Sequence, residues 1–248
     1  MDSSASLSSV LRRHATDFHP VVPFDPARGK LYPFDFTENN KVLTPDQIAD
    51  TNRFAAYIDG ILGQHHAQYG IGGYAEHRTL YARSRLFDQI LPSAAGLQNA
   101  TASTAGEPRR LHLGIDIWGP AGTAVISPLD GIVHSFAFNN NESDYGATLI
   151  LTHNLEGIGF HTLYGHLSLN SLKNLVEGKN IGKGDVIAEF GMRFENGNWP
   201  PHLHFQIIGD MQGWKGDYPG VAAFPERQQW LDNCPNPDLI LQMMQYAK

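Results

Sequence analysis

Cysteine occurs once in the 248 residues, at Cys234, so no intrachain disulfide can staple the chain. There is no run of roughly 18 or more apolar residues, which argues against a transmembrane segment. Charge is sparse at 17%, and cations are the minority, 18 Lys and Arg against 25 Asp and Glu, for a formal net charge of -7. Nucleic acid and anionic membranes are bound through clustered Lys and Arg, so neither is an expected partner. No basic stretch followed by an apolar one accompanies Met1-Asp2-Ser3-Ser4-Ala5, so no secretory leader is read and the sequence points to the cytoplasm, or to the periplasm or exterior if the chain is exported. An HExxH string, which would pair two metal ligands with a glutamate base, is also missing. What the chain does have is a 42% hydrophobic complement, enough for a real core, and 12 histidines.

Residues 1 to about 40 are rich in Pro, Asp, Phe and Ser without a sustained period. They read as an extended arm anchored by Val21, Val22, Phe24, Tyr32 and Phe34. Thr44-Pro45-Asp46-Gln47 is a helix start, with Thr44 as N-cap, Pro45 in the first turn and Gln47 closing a capping box. Ile48, Ala55, Ile58 and Leu62 then recur at helical spacing, predicting one helix over about 45–66. Gly70-Ile71-Gly72-Gly73 breaks it, a shorter helical or mixed stretch follows from Leu80 to Leu91, and Ser93 through Gly106 has the composition of a linker.

From Leu111 the pattern changes to short alternating runs at 125–126, 131–133, 147–151, 160–164, 185–188 and 203–207. Closely spaced strands with few helices between them imply an antiparallel sheet. One or two helical turns are expected near Leu169 to Leu175. An irregular tail is expected after Gly213, ending in a short helix at 237–240.

Two strings carry the chemistry, Leu111-His112-Leu113-Gly114-Ile115-Asp116 and Pro201-His202-Leu203-His204. Two imidazoles and one carboxylate, with a fourth position left to water, match the ligand count of a catalytic zinc site rather than a closed structural one. On a strand His202 and His204 share a face about 6–7 Å apart, which suits one ligand beside one catalytic group. His112 and Asp116 would lie about 13 Å apart on a regular strand. The chain must therefore curl at Gly114, where no side chain opposes the bend. Tyr164-Gly165-His166-Leu167-Ser168 adds an imidazole at the end of another strand.

The order HxxxD, YGHLS, PHLH resembles the lysostaphin-type zinc metalloendopeptidases, which cut peptide crosslinks in bacterial cell walls. Gly119 to Val125, Ser127 to Val133, Tyr145-Gly146 and Ile181 to Ile187 extend the likeness over about residues 108–210. The resemblance implies a mostly β (α+β overall) fold, a compact antiparallel peptidase domain with a groove, preceded by a partly helical segment. It places an N-terminal arm and helical segment in 1–100, positioned to cover the groove, and the peptidase domain with a C-terminal extension in 101–248. It makes His112, Asp116 and His204 ligands of one zinc ion per chain, and His166 and His202 the catalytic pair. Imidazole can serve as the proton acceptor that a missing HExxH glutamate would otherwise be. His202 is taken as the general base and His166 as the oxyanion group, in roles that could be exchanged. The substrate implied is a peptide or peptidoglycan-like peptide; the alternative is a non-enzymatic or latent peptide-binding module that keeps the zinc site. Glu76 or His77, in a segment that could cap the groove, is a candidate for an extra metal ligand. His134, His153 and His161 are expected to line the sheet, and His65-His66 to end a helix.

Overall fold

The computed structural model describes residues 6–89 and 107–248; the linker stretch expected at 93–106 lies outside them. In chain order the helices and strands are α1 (Leu7–Arg13), β1 (Leu31–Pro33), α2 (Pro45–Ala49), α3 (Thr51–His65), β2 (Tyr69–Gly72), β3 (Arg109–His112), β4 (Ile115–Trp118), β5 (Ala124–Ile126), β6 (Gly131–Asn139), β7 (Gly146–Leu155), β8 (Ile158–Leu167), β9 (Asn180–Ile181), β10 (Val186–Glu189), β11 (His202–Ile208), β12 (Val221–Ala223), α4 (Arg227–Asn233) and α5 (Asp238–Leu241). Eight strands form one sheet in the order β1-β2-β4-β11-β8-β7-β6-β9, with only the β1–β2 pair parallel. The fold is mostly β, as its alternating runs imply.

The structure departs from the sequence reading in several places, one being β2, a buried strand where Gly70 to Gly73 reads only as a helix break. The arm contains α1, capped by the Ser6 hydroxyl, which accepts from the Ser9 N–H, and anchored by buried Val10 and Leu11. The long helix is two: Asp50 takes an extended conformation after Ala49, and its carboxylate accepts from Asn52 and Arg53 N–H to start α3. An aspartate that can cap competes with the helix it interrupts. The tail after Gly213 is more regular than expected, with β12 paired to β3 and α4 following it. The capping box at Thr44 and Gln47 is present as read.

Packing puts the site at a seam. Leu149, Leu151, Phe160, Tyr164, Leu203, Phe205 and Ile207 fill the core under the main sheet. A second cluster joins Phe34, Phe36 and Phe54 from the N-terminal segment to Trp118 on β4 and Trp199 before β11. Phe54 meets Trp118 edge-on at 5.7 Å, and Phe36 meets it at 5.6 Å. The N-terminal segment is thus bonded to the sheet through β2 and packed against it through α3.

Candidate metal centre

Register aligns the site. His204 on β11 stands directly opposite Asp116 on β4, which in turn faces Gly72 on β2; His204 also faces Gly165 on β8. His112 ends β3, which leaves the main sheet to pair with β12, and Leu113-Gly114 makes the turn into β4. Gly114 is required by proximity: a Cβ there would stand 2.5 Å from the His204 ring. The sequence argument put its value in the bend alone, and the structure adds this close approach.

Three ligand atoms converge. His112 Nε2 lies 2.9 Å from His204 Nδ1 and 3.3 Å from Asp116 Oδ1, and His204 Nδ1 lies 3.1 Å from the same oxygen. The edge of a tetrahedral face around zinc, with ligands at about 2.0–2.1 Å, is about 3.3 Å. The triangle fits that face with slight contraction. Each ring is held by its other nitrogen, which fixes the tautomer. His112 Nδ1–H donates to the Gly73 carbonyl at 2.9 Å, and His204 Nε2–H donates to Gln206 Oε1 at 2.9 Å. All three residues are buried, and together they form the one His/Asp group suited to a metal among the described residues. Burial pushes the His112 imidazole down to about 3, helped by the Arg78 charge, so it stays neutral and able to bind a metal. Burial alone would raise the Asp116 carboxyl, but the Arg78 guanidinium beside it holds it well below the usual range.

His166 and His202 stand beside the triangle with ring centroids 4.1 Å apart. His202 stacks on Trp118 at 3.9 Å, and its Nδ1–H donates to the Pro200 carbonyl at 2.8 Å. His166 takes a left-handed conformation (φ 62°) where the strand turns, and its Nδ1–H donates to the Asn196 carbonyl at 2.8 Å. Such a backbone costs a non-glycine residue about 1–3 kcal/mol and clusters at functional sites. Both rings therefore carry their lone pair on Nε2. Desolvation keeps them neutral near pH 7, pushing His202 down to about 4 and His166 well below the ordinary imidazole value.

Asp116, His166, His202 and His204 line a groove of about 260 Å³, walled by Tyr81, Phe87, Trp199 and Tyr218. Residues 110–215 match the model of Peptidase family M23. A stretch of 97 residues is 36% identical to the DD-carboxypeptidase/endopeptidase Mpg of Neisseria meningitidis, covering 39% of this chain and 20% of that protein. The chain therefore spans about a fifth of the length of this curated relative. Among solved structures, a zinc-containing peptidase from Vibrio cholerae is 30% identical, covering 40% of this chain and 27% of that one, with TM-score 0.32. The catalytic domain of lysostaphin from Staphylococcus simulans is 19% identical, covering 71% of this chain and 96% of that one, with TM-score 0.37.

The M23 match takes in all five histidine and aspartate positions singled out from sequence, and the structure brings all five together. Glu76 and His77 are not in the candidate metal group. Glu76 accepts from Phe36 N–H and Arg78, while His77 is exposed against Phe224. His134, His153 and His161 lie on β6, β7 and β8 outside the group, and His65 and His66 are exposed at the end of α3. Sequence reasoning missed Gln206 and Arg78. Gln206 was accessible through strand alternation, two residues beyond His204 on the same face. Arg78, which pairs with Asp116 across 38 residues, had no local signal.

Proposed function

We propose that this chain is a zinc metallopeptidase that hydrolyses peptide bonds, with cell-wall-type crosslink peptides as its substrate class. The observation that carries this reading is the meeting of a three-atom metal face with two neutral imidazoles that present Nε2, beside a groove lined by Asp116, His166, His202 and His204. Bound zinc would supply polarisation of the scissile carbonyl and a water acidic enough to attack near neutral pH. His112, Asp116 and His204 are the ligands in this reading, one ion per chain.

His202 is the general base, oriented by Pro200 and Trp118. Neutral His166 has its proton on Nδ1, committed to Asn196, so it has none at Nε2 to give an oxyanion. Its tautomer instead favours a second acceptor for the attacking water, and whichever ring takes the proton can return it to the leaving amine. The Tyr145 hydroxyl, kept protonated because burial pushes its pKa up, lies 3.4 Å from His204 Nε2 and supplies a neutral donor at the groove floor. The matched relative's name, with its carboxypeptidase and endopeptidase activities, supports the substrate class.

The test is metal analysis together with mass-spectrometric assay of crosslinked peptidoglycan fragments and a peptide library. His112→Ala and His204→Ala should lose the metal. His202→Ala should keep it and lose about 10²–10⁴-fold in turnover. A zinc-loaded wild-type chain that cleaves nothing in either panel rejects the peptidase reading.

A further inference from the structure

We propose that Arg78 is a positioning residue of the metal centre, holding Oδ2 of Asp116 so that this carboxylate offers a single oxygen, Oδ1, to the ion. The Arg78 side chain is 1% exposed, and each of its three nitrogens has an acceptor. Nη1 bonds Asp116 Oδ2 and reaches the Tyr81 hydroxyl at 3.3 Å; Nη2 donates to the Gly72 carbonyl at 3.2 Å. Nε bonds Glu76 Oε2 at 2.6 Å, and the plane lies over the Phe36 ring at 5.3 Å. Asp116 Oδ1, by contrast, faces His112 and His204.

Two arguments point past an ordinary ion pair. A buried salt bridge is a weak source of stability, because desolving both partners offsets most of their attraction. One that fixes a metal ligand has another use: outer partners of ligands set their orientation and basicity. A carboxylate free to bind through both oxygens would raise the coordination number and take the position a water or substrate needs. Arg78 also lies outside the residues that match Peptidase family M23. The same short segment supplies the Gly73 carbonyl that orients His112, so two of the three ligands are aligned by residues 72–78.

The test uses the full chain loaded with zinc or with cobalt(II), whose d–d absorption weakens as coordination rises above four. Arg78→Gln should bind zinc about 10- to 100-fold more weakly by chelator competition, and its cobalt spectrum should lose intensity. Arg78→Lys keeps the charge but not the fork, and should show the same changes to a lesser degree. A folded Arg78→Gln with wild-type affinity and spectrum overturns the proposal. Should that variant not fold, an Arg78→Lys chain indistinguishable from wild type overturns it. X-ray absorption showing Asp116 bound through both oxygens in the wild type does so without any variant. The proposal rests on reading the triangle as a zinc site. A wild-type chain that binds neither ion overturns both readings, whereas wild-type binding with an unchanged variant overturns this one alone.

Discussion

At the residue scale, burial favours the neutral form of the groove's bases and acids alike, and so moves their pKa values in opposite directions. The imidazoles at its floor are kept neutral, while Asp217 in its wall is pushed up to about 6 by burial and by the nearby Asp144 carboxylate. Asp217 accepts the Tyr218 N–H at 2.7 Å, and no cation forms a salt bridge with it among the described residues. An unfolded aspartate titrates near 3.9, so below about pH 4 both states hold the proton and the group has no effect. As pH rises from about 4 to 6 the unfolded chain releases the proton and the folded one keeps it, so stability falls through that window. The deficit then persists at neutral pH. Asp217→Asn, which keeps the acceptor oxygen, should stabilise the chain by about 1–2 kcal/mol at pH 7. The gain should shrink as pH is lowered toward 4. Urea unfolding of both proteins across this range decides it; a variant less stable at pH 7 would mean that the carboxylate is paired.

At the element scale, α3 acts on the site through an aromatic relay. Phe54 packs on Trp118, and Trp118 stacks on His202. Phe54→Ala should cost about 3–5 kcal/mol by removing a fully buried ring, and should lower turnover because His202 loses a fixed backing. A loss much smaller than this, by urea unfolding, would show that α3 is dispensable to the sheet. The elements differ in how legible they were beforehand. The β runs and the Thr44 cap carry their signals locally, and so do the three histidine strings. Asp50 breaks a periodic apolar pattern because one carboxylate can serve as a cap, a choice the pattern does not encode. Helix α1 buries only Val10 and Leu11 in seven residues, too few for periodicity to show. Arg78 is the clearest case of a residue whose meaning is tertiary: nothing in Glu76-His77-Arg78 refers to Asp116, and the β2–β4 pairing, with backbone bonds from this segment to Arg110 and His112, brings them together.

At the scale of the whole molecule, the N-terminal segment is part of the site's construction, and this bears on whether it could be a removable plug. Strand β2 supplies hydrogen bonds to β4, the strand carrying Asp116, and Phe34, Phe36 and Phe54 cover Trp118. Without them β4 would become an open edge beside exposed aromatic surface, a template for aggregation. The Gly73 carbonyl and the Arg78 guanidinium would also be lost from His112 and Asp116. At the same time Tyr81 and Phe87 share the lining of the groove with His166 and His202. A chain beginning at residue 107 should therefore be less soluble than the full chain, melt at a lower temperature and hold zinc more weakly. Its turnover per zinc bound should not rise. Circular dichroism, chelator competition and the crosslink assay on the two chains test this together. A truncated chain that folds, keeps its zinc and cleaves faster would show instead that residues 6–89 restrain a complete enzyme.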